Sequence, residues 1–81
     1  MEQHIGAYMT VAANIINKCG GVEQTALLAG VSVNWVYRWK MPVDKGGLGG
    51  RVPRKAQDNL IAAGRVGLVD IKPSDFYAVS Q

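Results

Sequence analysis

The sequence has one cysteine, one histidine and no run of about 18 apolar residues that could cross a bilayer. A lone cysteine cannot form an internal disulfide or share a metal with a second one, which is typical of a reducing compartment. The apolar segment 5–16 has no basic stretch before it and no small-residue cleavage site after it. We therefore expect no secretory signal, no association with membranes and a cytoplasmic location.

Side-chain combinations that support catalysis or metal binding are also missing. His4 is the only histidine and stands near the start of the sequence, where we expect no acidic or cysteine side chain to pair with it. The acidic residues are scattered along the chain and form no pair, as the positions of Glu23, Asp58, Asp70 and Asp75 show. Cys19 has only Lys18 as a basic neighbour. We expect no enzyme activity, no metal, no cofactor and no small-molecule substrate.

What the chain does have is enough apolar residues for one modest core and an uneven distribution of charge. With 81 residues, of which 48% are hydrophobic, it should form a single folded domain. The net charge of +3 is small, but between Asn34 and Arg65 seven basic residues stand against two acidic ones. The first 33 residues contain Lys18 as their only Lys or Arg. A basic face is expected in the second half of the chain.

The spacing of apolar residues predicts an all-α fold of four to five short helices. The first helix ends at Gly20-Gly21, and its apolar face carries Ile5, Tyr8, Met9, Ala12, Ile15, Ile16 and Cys19, so we expect Cys19 to be buried. A second helix is predicted over Val22–Ala29, with Ala26, Leu27 and Ala29 on its apolar side and Gly30 as its end.

The third predicted helix runs from about Ser32 to Lys40. The Ser32 hydroxyl is suited to cap its first turn, and Met41-Pro42 ends it because the residue before proline leaves the helical region. On a helical wheel Ser32, Val36 and Trp39 share one side, with Trp35 at its border. The opposite side carries Asn34, Tyr37 and Arg38.

Residues 42–52 contain four glycines and no periodicity, so they predict a loop that can move. This loop lacks the Lys-Ser/Thr ending of a phosphate-binding loop and follows no strand, which argues against nucleotide binding. Pro53 suits the first position of a fourth helix whose apolar side carries Ala56, Leu60 and Ala63, with Ile61 beside them and Gly64 as its end. A short last helix is predicted from Pro73 through Phe76 and Tyr77.

The second and third helices, joined by a tight turn, carry a recognisable set of residues. Ala26, Gly30, Val31, Ser32, Val36, Arg38 and Trp39 resemble, at this spacing, the helix-turn-helix of Cro/CI-type regulators. Closer still is the likeness to small YdaS-like, phage-type regulators, carried by Gly20-Gly21, Trp39, Arg51-Val52-Pro53 and Lys72-Pro73-Ser74-Asp75-Phe76. The resemblance covers roughly residues 19–77.

The resemblance implies a lambda-repressor-like domain, in which residues 1–81 form a single helix-turn-helix DNA-binding unit with its motif at about 22–40. The chain departs from the wider family at Thr25 and Ala29, where leucines are usual. We therefore expect the packing of the second helix to depend more on Leu27 or Leu28 and on the first helix.

By the same resemblance, the function is sequence-specific binding of double-stranded DNA by a transcriptional regulator of phage or bacterial origin. Repression is favoured, since the chain has no room for a separate ligand or activation domain. Base edges would be read by Ser32, Val33, Asn34, Tyr37 and Arg38. Phosphates would be contacted by Gln24, Lys40, Lys45, Arg51, Arg54 and Lys55. A homodimer on a two-fold operator is expected, with residues 66–79 as the first choice for its surface.

Three alternatives stay open at this point. Trp35 can pack in the core, which is favoured, or stack on a sugar-phosphate edge, or join a dimer. The whole domain can instead be a protein-interaction adaptor or antirepressor on a helix-turn-helix scaffold, with Val33, Trp35 and Tyr37 as a sticky patch. It can also be an architectural or excision factor, which should bend DNA.

Overall fold

Residues 10–77 are described by the structure, a computed structural model. Four α-helices occur in them: α1 Val11–Cys19, α2 Val22–Ala29, α3 Val33–Lys40 and α4 Arg54–Arg65. Two 3-10 helices, Val43–Lys45 and Pro73–Phe76, follow α3 and α4 respectively. No strand is found over this range, so the all-α prediction is confirmed. The predictions for His4, Ile5, Tyr8, Met9 and the end of segment 66–79 lie outside the described residues.

Side-chain oxygens cap the N-terminal ends of two of these helices. Thr10 Oγ1 accepts a hydrogen bond from the Ala13 amide at 3.1 Å, and Ser32 Oγ accepts one from the Trp35 amide at 3.2 Å. Each bond satisfies an amide that has no partner within the helix. The predicted role of Ser32 as the cap of α3 is thus confirmed. Met41 ends the same helix in an extended conformation, also as predicted.

The core is built from large side chains on three helices and small ones on the fourth. Ile15 of α1, Val36 and Trp39 of α3 and Leu60 of α4 are fully buried. Helix α2 packs against all three of the other helices and contributes Thr25, Ala26 and Ala29. Its small side chains allow the neighbouring helices to come close, which fixes α2 at the centre of the fold.

The prediction for Leu27 was wrong. Leu27 is 74% exposed, whereas Thr25 is fully buried and Leu28 is half-buried. The buried positions of α2 follow the helical spacing of three and four residues from Val22, and Leu27 lies on the other side. Burial of the Thr25 hydroxyl is tolerated because it donates a hydrogen bond to the Gly21 carbonyl at 2.7 Å.

The end of α4 also differs from its prediction. Ala56, Leu60 and Ala63 are buried as expected, but the helix continues through Gly64 to Arg65. A Cβ at Gly64 would clash with the carbonyl oxygen of Ile71, so this glycine gives space to the returning chain. Pro53 is not the first helical residue but the residue before it. Amides of Gly67 and Leu68 complete the helix end by bonding to Gly64 and Ala63 carbonyls at 3.2 and 3.0 Å.

The returning segment 69–77 lies against α1 and α4. Its 3-10 helix Pro73–Phe76 is the short last helix that the sequence predicts. Asp75 accepts a hydrogen bond from the Lys72 amide at 2.8 Å and forms an ion pair with Lys18 of α1 at 3.1 Å. These contacts, with the buried Ile71, fasten the segment to the core.

Cys19 is half-buried at the end of α1, so its predicted burial is confirmed only in part. Burial raises the pKa of the Cys19 thiol, and a hydrogen bond with Thr25 works in the opposite direction. A raised pKa keeps the thiol protonated and unreactive near neutral pH. None of the helices between residues 10 and 77 has the length and hydrophobicity that a bilayer crossing requires.

Candidate nucleic-acid interface

Helix α3 has two chemically distinct faces. Val36 and Trp39 are fully buried against the rest of the core. Asn34, Tyr37 and Arg38 are exposed, with half of the Tyr37 surface accessible to solvent. The predicted division of this helix is therefore confirmed for these five residues, whereas Ser32, predicted on the side of Val36 and Trp39, is exposed. An amide, a phenol and a guanidinium together offer hydrogen-bond donors and acceptors along one rigid helix.

The first residues of the predicted base-reading set differ from the others. The Ser32 hydroxyl is exposed but already accepts the Trp35 amide hydrogen, which leaves its own hydrogen as a free donor. Val33 is half-buried and packs against the core with part of its side chain. The structure thus brings Asn34, Tyr37 and Arg38 together, and it places Ser32 and Val33 at the edge of this face.

Core packing of Trp35 was the favoured prediction, and it was wrong. Half of its surface is exposed, and the Arg38 guanidinium carbon lies over its ring, 5.6 Å from the ring centroid. The core side of α3 is already filled by Val36 and Trp39, so no buried position is left for a second indole. Trp35 belongs to the exposed face.

The glycine-containing loop after α3 closes the C-terminal end of that helix. Leu48, Gly49 and Gly50 donate backbone hydrogen bonds to the carbonyls of Arg38, Met41 and Trp39 at 2.9, 2.8 and 2.6 Å respectively. The Gly50 carbonyl in turn accepts the Ala12 amide of α1 at 2.8 Å. The backbone of residues 48–50 is thus bonded to α3, to its cap residue Met41 and to α1, which opposes the expectation of a movable loop.

The N-terminal end of α2 lies beside the exposed face of α3. A shallow groove is lined by Gly20, Gly21, Val22, Glu23, Gln24 and Tyr37. Gly21 precedes α2 and has no side chain to cap it, so the first amides of the helix have no side-chain partner at this cap. Such amides, together with the Gln24 side chain, can donate hydrogen bonds to an anion, although the Glu23 carboxylate in the same turn opposes this.

The remaining residues of the predicted phosphate-contacting set are exposed cations. They occupy the end of α3, the loop and the first turn of α4, as follows: Lys40, Lys45, Arg51, Arg54 and Lys55. Arg54 forms an exposed ion pair with Asp58 at 3.6 Å. Because both side chains are well solvated, this pair contributes little to stability and can open for another anion.

One polar residue near this surface was missed by reasoning from the sequence. Asn59 of α4 donates a hydrogen bond from Nδ2 to the Ala29 carbonyl at 2.8 Å, and a Cβ at Gly30 would lie 3.4 Å from the same nitrogen. Asn59 therefore caps the C-terminal end of α2 where the chain turns into α3. The only sequence signal was an amide next to Leu60 on the buried side of α4.

Comparisons of the chain with protein-family models, curated proteins and solved structures found no match. No group of three or more His, Cys, Asp or Glu side chains in residues 10–77 is placed to hold a metal ion.

Proposed function

We propose that this chain is a transcriptional regulator that binds double-stranded DNA sequence-specifically through α3. The observation that carries the proposal is the division of α3 into a face anchored by Val36 and Trp39 and an exposed face with Asn34, Tyr37 and Arg38. Asparagine can bond the edge of adenine and arginine the edge of guanine, each at two atoms in the major groove. The turn at Gly30 joins α2 to this helix, which supports the proposal that the two helices act as a helix-turn-helix.

The distribution of charge supports the same proposal. Lys40 ends α3, and the other basic residues, Lys45, Arg51, Arg54 and Lys55, follow it in the sequence; all five are exposed. Cations that bind phosphates release counterions from DNA, so they would set affinity and its dependence on salt. Gln24 and the first amides of α2 would add hydrogen bonds to the backbone of the duplex.

The proposal includes a homodimer, because one domain of this size contacts few base pairs and a two-fold operator doubles them. The segment after α4 is the proposed surface of association. It is supported by three exposed side chains, Val66, Leu68 and Tyr77. Such a protein, acting by occupying its operator, would be a repressor of phage or bacterial origin in the cytoplasm. Cro/CI-type and YdaS-like regulators are the families to which this proposal assigns it.

Selection of bound duplexes from a random pool tests the proposal directly. We expect a short enriched motif with two-fold symmetry, and affinity for it that falls steeply as salt concentration rises. If no motif were enriched and the affinity for DNA did not depend on salt concentration, the proposal that this chain binds DNA sequence-specifically would be contradicted. A bend of the selected duplex on binding would indicate the architectural variant.

A second candidate is a protein-interaction adaptor or antirepressor. The observation that favours it is a groove beside the turn, lined by Ala26, Leu27, Val31 and Val33 together with Glu23, Gly30 and Ser32. Leu27, one of its lining residues, is three-quarters exposed and so is available to contact a partner. This function would be favoured if the chain bound a partner protein with an affinity independent of salt concentration and bound no DNA duplex.

A further inference from the structure

Trp35 and Arg38 are exposed neighbours on α3, three residues apart and thus on the same side of the helix. The Arg38 guanidinium carbon lies over the indole, 5.6 Å from the ring centroid. This separation is within the range of about 6 Å over which a cation is attracted to an aromatic face.

The kind of contact matters for what Arg38 can still do. Attraction to the ring face uses the positive charge of the guanidinium and leaves its N–H donors available. A carboxylate partner would occupy some of those donors, and neither ion pair that the structure shows within residues 10–77 involves Arg38. Trp35 thus restricts the arginine without consuming the groups that would bond a base.

The backbone at both ends of this contact is fixed as well. The Trp35 amide donates to the Ser32 hydroxyl at 3.2 Å, and the Arg38 carbonyl accepts the Leu48 amide at 2.9 Å. The two Cα positions are therefore held by the N-terminal cap of α3 and by the loop that closes it. A side chain that is oriented in advance loses less conformational freedom when it binds.

We propose that Trp35 is a positioning residue, which holds the Arg38 guanidinium ready to bond a guanine edge in the major groove. The inference rests on the proposed function and deepens it, since it adds a specificity-determining residue that acts through Arg38. Trp35 then influences discrimination between base pairs without contacting a base.

A double-mutant cycle on the full chain tests this proposal. The variants are Trp35→Leu, which removes the aromatic face, Trp35→Phe, which retains one, Arg38→Ala and the combination of Trp35→Leu with Arg38→Ala. The measured quantity is the ratio of affinities for the duplex selected from a random pool and for an unrelated duplex. In the free protein, the chemical shifts of the Arg38 side-chain protons report the ring current of Trp35 without DNA.

We expect Trp35→Leu to lower the affinity ratio about two- to fivefold, as an exposed cation–aromatic contact allows. Trp35→Phe should retain most of the wild-type affinity ratio. In the Arg38→Ala background, Trp35→Leu should not lower the ratio further. The ring-current shift of the Arg38 protons should be present in the wild type and absent in Trp35→Leu.

Other results would overturn the proposal in distinguishable ways. An equal loss from Trp35→Leu with and without Arg38 would show that Trp35 contacts DNA itself. An unchanged ratio in Trp35→Leu, with the wild type selecting a clear motif, would reject the positioning role and leave the proposed function intact. A wild type that prefers no duplex would overturn the proposed function, and the role of Trp35 with it, even if the ring-current shift is present.

Discussion

Asn59 of α4 donates a hydrogen bond from its side-chain amide to the backbone carbonyl of Ala29, at the last residue of α2. The bond joins two helices that are distant in sequence, at the point where the chain turns from α2 into α3. We expect Asn59→Ala to lower the free energy of unfolding by about 1–3 kcal/mol, because it leaves a partly buried carbonyl without its partner.

In thermal unfolding, a loss of 1 kcal/mol corresponds to roughly 4–8 °C for a domain of this size. Asn34→Ala is the matched control, since Asn34 is exposed and its truncation should change stability by less than about 0.5 kcal/mol. Equal melting temperatures for the two variants would show that the bond between α4 and α2 does not contribute to stability.

Residues that read bases and residues that bind phosphates should respond differently to truncation. Asn34→Ala and Arg38→Ala should reduce discrimination between the selected duplex and a random one by ~1–3 kcal/mol each. Lys45→Ala and Arg54→Ala should weaken binding to both duplexes alike and reduce the slope of log affinity against log salt by about 1. Fluorescence anisotropy over a salt series measures both quantities, and unchanged binding in all four variants would exclude α3 as the reader.

Gly50→Ala should be markedly destabilising. Gly50 has φ +93°, and an added Cβ would lie 2.6 Å from Thr10 Cβ, next to the start of α1. Gly46→Ala is a closely matched control, since Gly46 has φ +87° but no atom within 4 Å of the added Cβ.

Both glycine substitutions incur the cost of a left-handed backbone, about 1–2 kcal/mol. Only Gly50→Ala adds the steric conflict, of the order of 1–3 kcal/mol. Chemical denaturation of the two variants separates these contributions, and equal losses would mean that the loop can move away from Thr10 without cost.

Gly64→Ala should destabilise the protein, although a change from glycine to alanine within a helix usually stabilises it. Replacing a helical glycine with alanine ordinarily stabilises by about 1 kcal/mol. Here the Cβ would clash with the Ile71 carbonyl oxygen, so we expect a net loss of stability and release of the returning segment. Exposed Ala62 in the same helix provides the comparison, since Ala62→Gly should cost about 1 kcal/mol. A Gly64→Ala variant more stable than the wild type would contradict the close packing of the two segments.

The ion pair between Asp75 and Lys18 should make stability depend on pH in the acid range. Burial by itself would raise the pKa of Asp75, but hydrogen bonds from the Lys72 amide and from Lys18, with the charges of both lysines, lower it below its ordinary value of 3.8. A group with a lowered pKa in the folded state contributes stability above its unfolded pKa, and that contribution is lost as pH falls through the folded value.

Asp75→Asn should therefore be less stable than the wild type near neutral pH, by about 1 kcal/mol or less for a partly exposed pair. The difference should shrink as pH is lowered below 3.8. Urea unfolding of both proteins between pH 2 and 7 measures it, and a difference independent of pH would show that the Asp75 charge is not involved.

Apolar spacing was enough to predict the helices and the two faces of α3, because position on a short amphipathic helix follows from its period. Val22–Ala29 has the bounds that the sequence predicts, and Ser32 is the cap of α3. The assignments of Leu27 and Trp35 failed because neighbours on the same helix take the buried positions. Leu27 is exposed because the fully buried Thr25 and Ala29 fill the inner side of α2, and Trp35 because Trp39 already fills the core.

Two predictions from glycines failed for another reason, since they depend on contacts with other segments of the chain. Gly64 looks like a helix stop in the sequence, whereas its role is set by the Ile71 carbonyl, which the returning chain brings against α4. The glycines of 46–50 indicate freedom of movement by composition alone, but the Gly50 amide bonds to the Trp39 carbonyl of α3 and the Gly49 amide to the carbonyl of its cap residue Met41. Local patterns carry no information about such partners, so only the three-dimensional arrangement reveals them.

The backbone of Gly50 links the end of α3 to the start of α1, two helix ends that are far apart in the sequence. Its amide bonds to the Trp39 carbonyl at the end of α3, and its carbonyl bonds to the Ala12 amide at the start of α1. Displacement of Gly50 from its position would release both bonds. In amide hydrogen exchange, Ala12 and Gly50 should therefore share one opening free energy, so that the end of α3 and the beginning of α1 behave as a single cooperative unit.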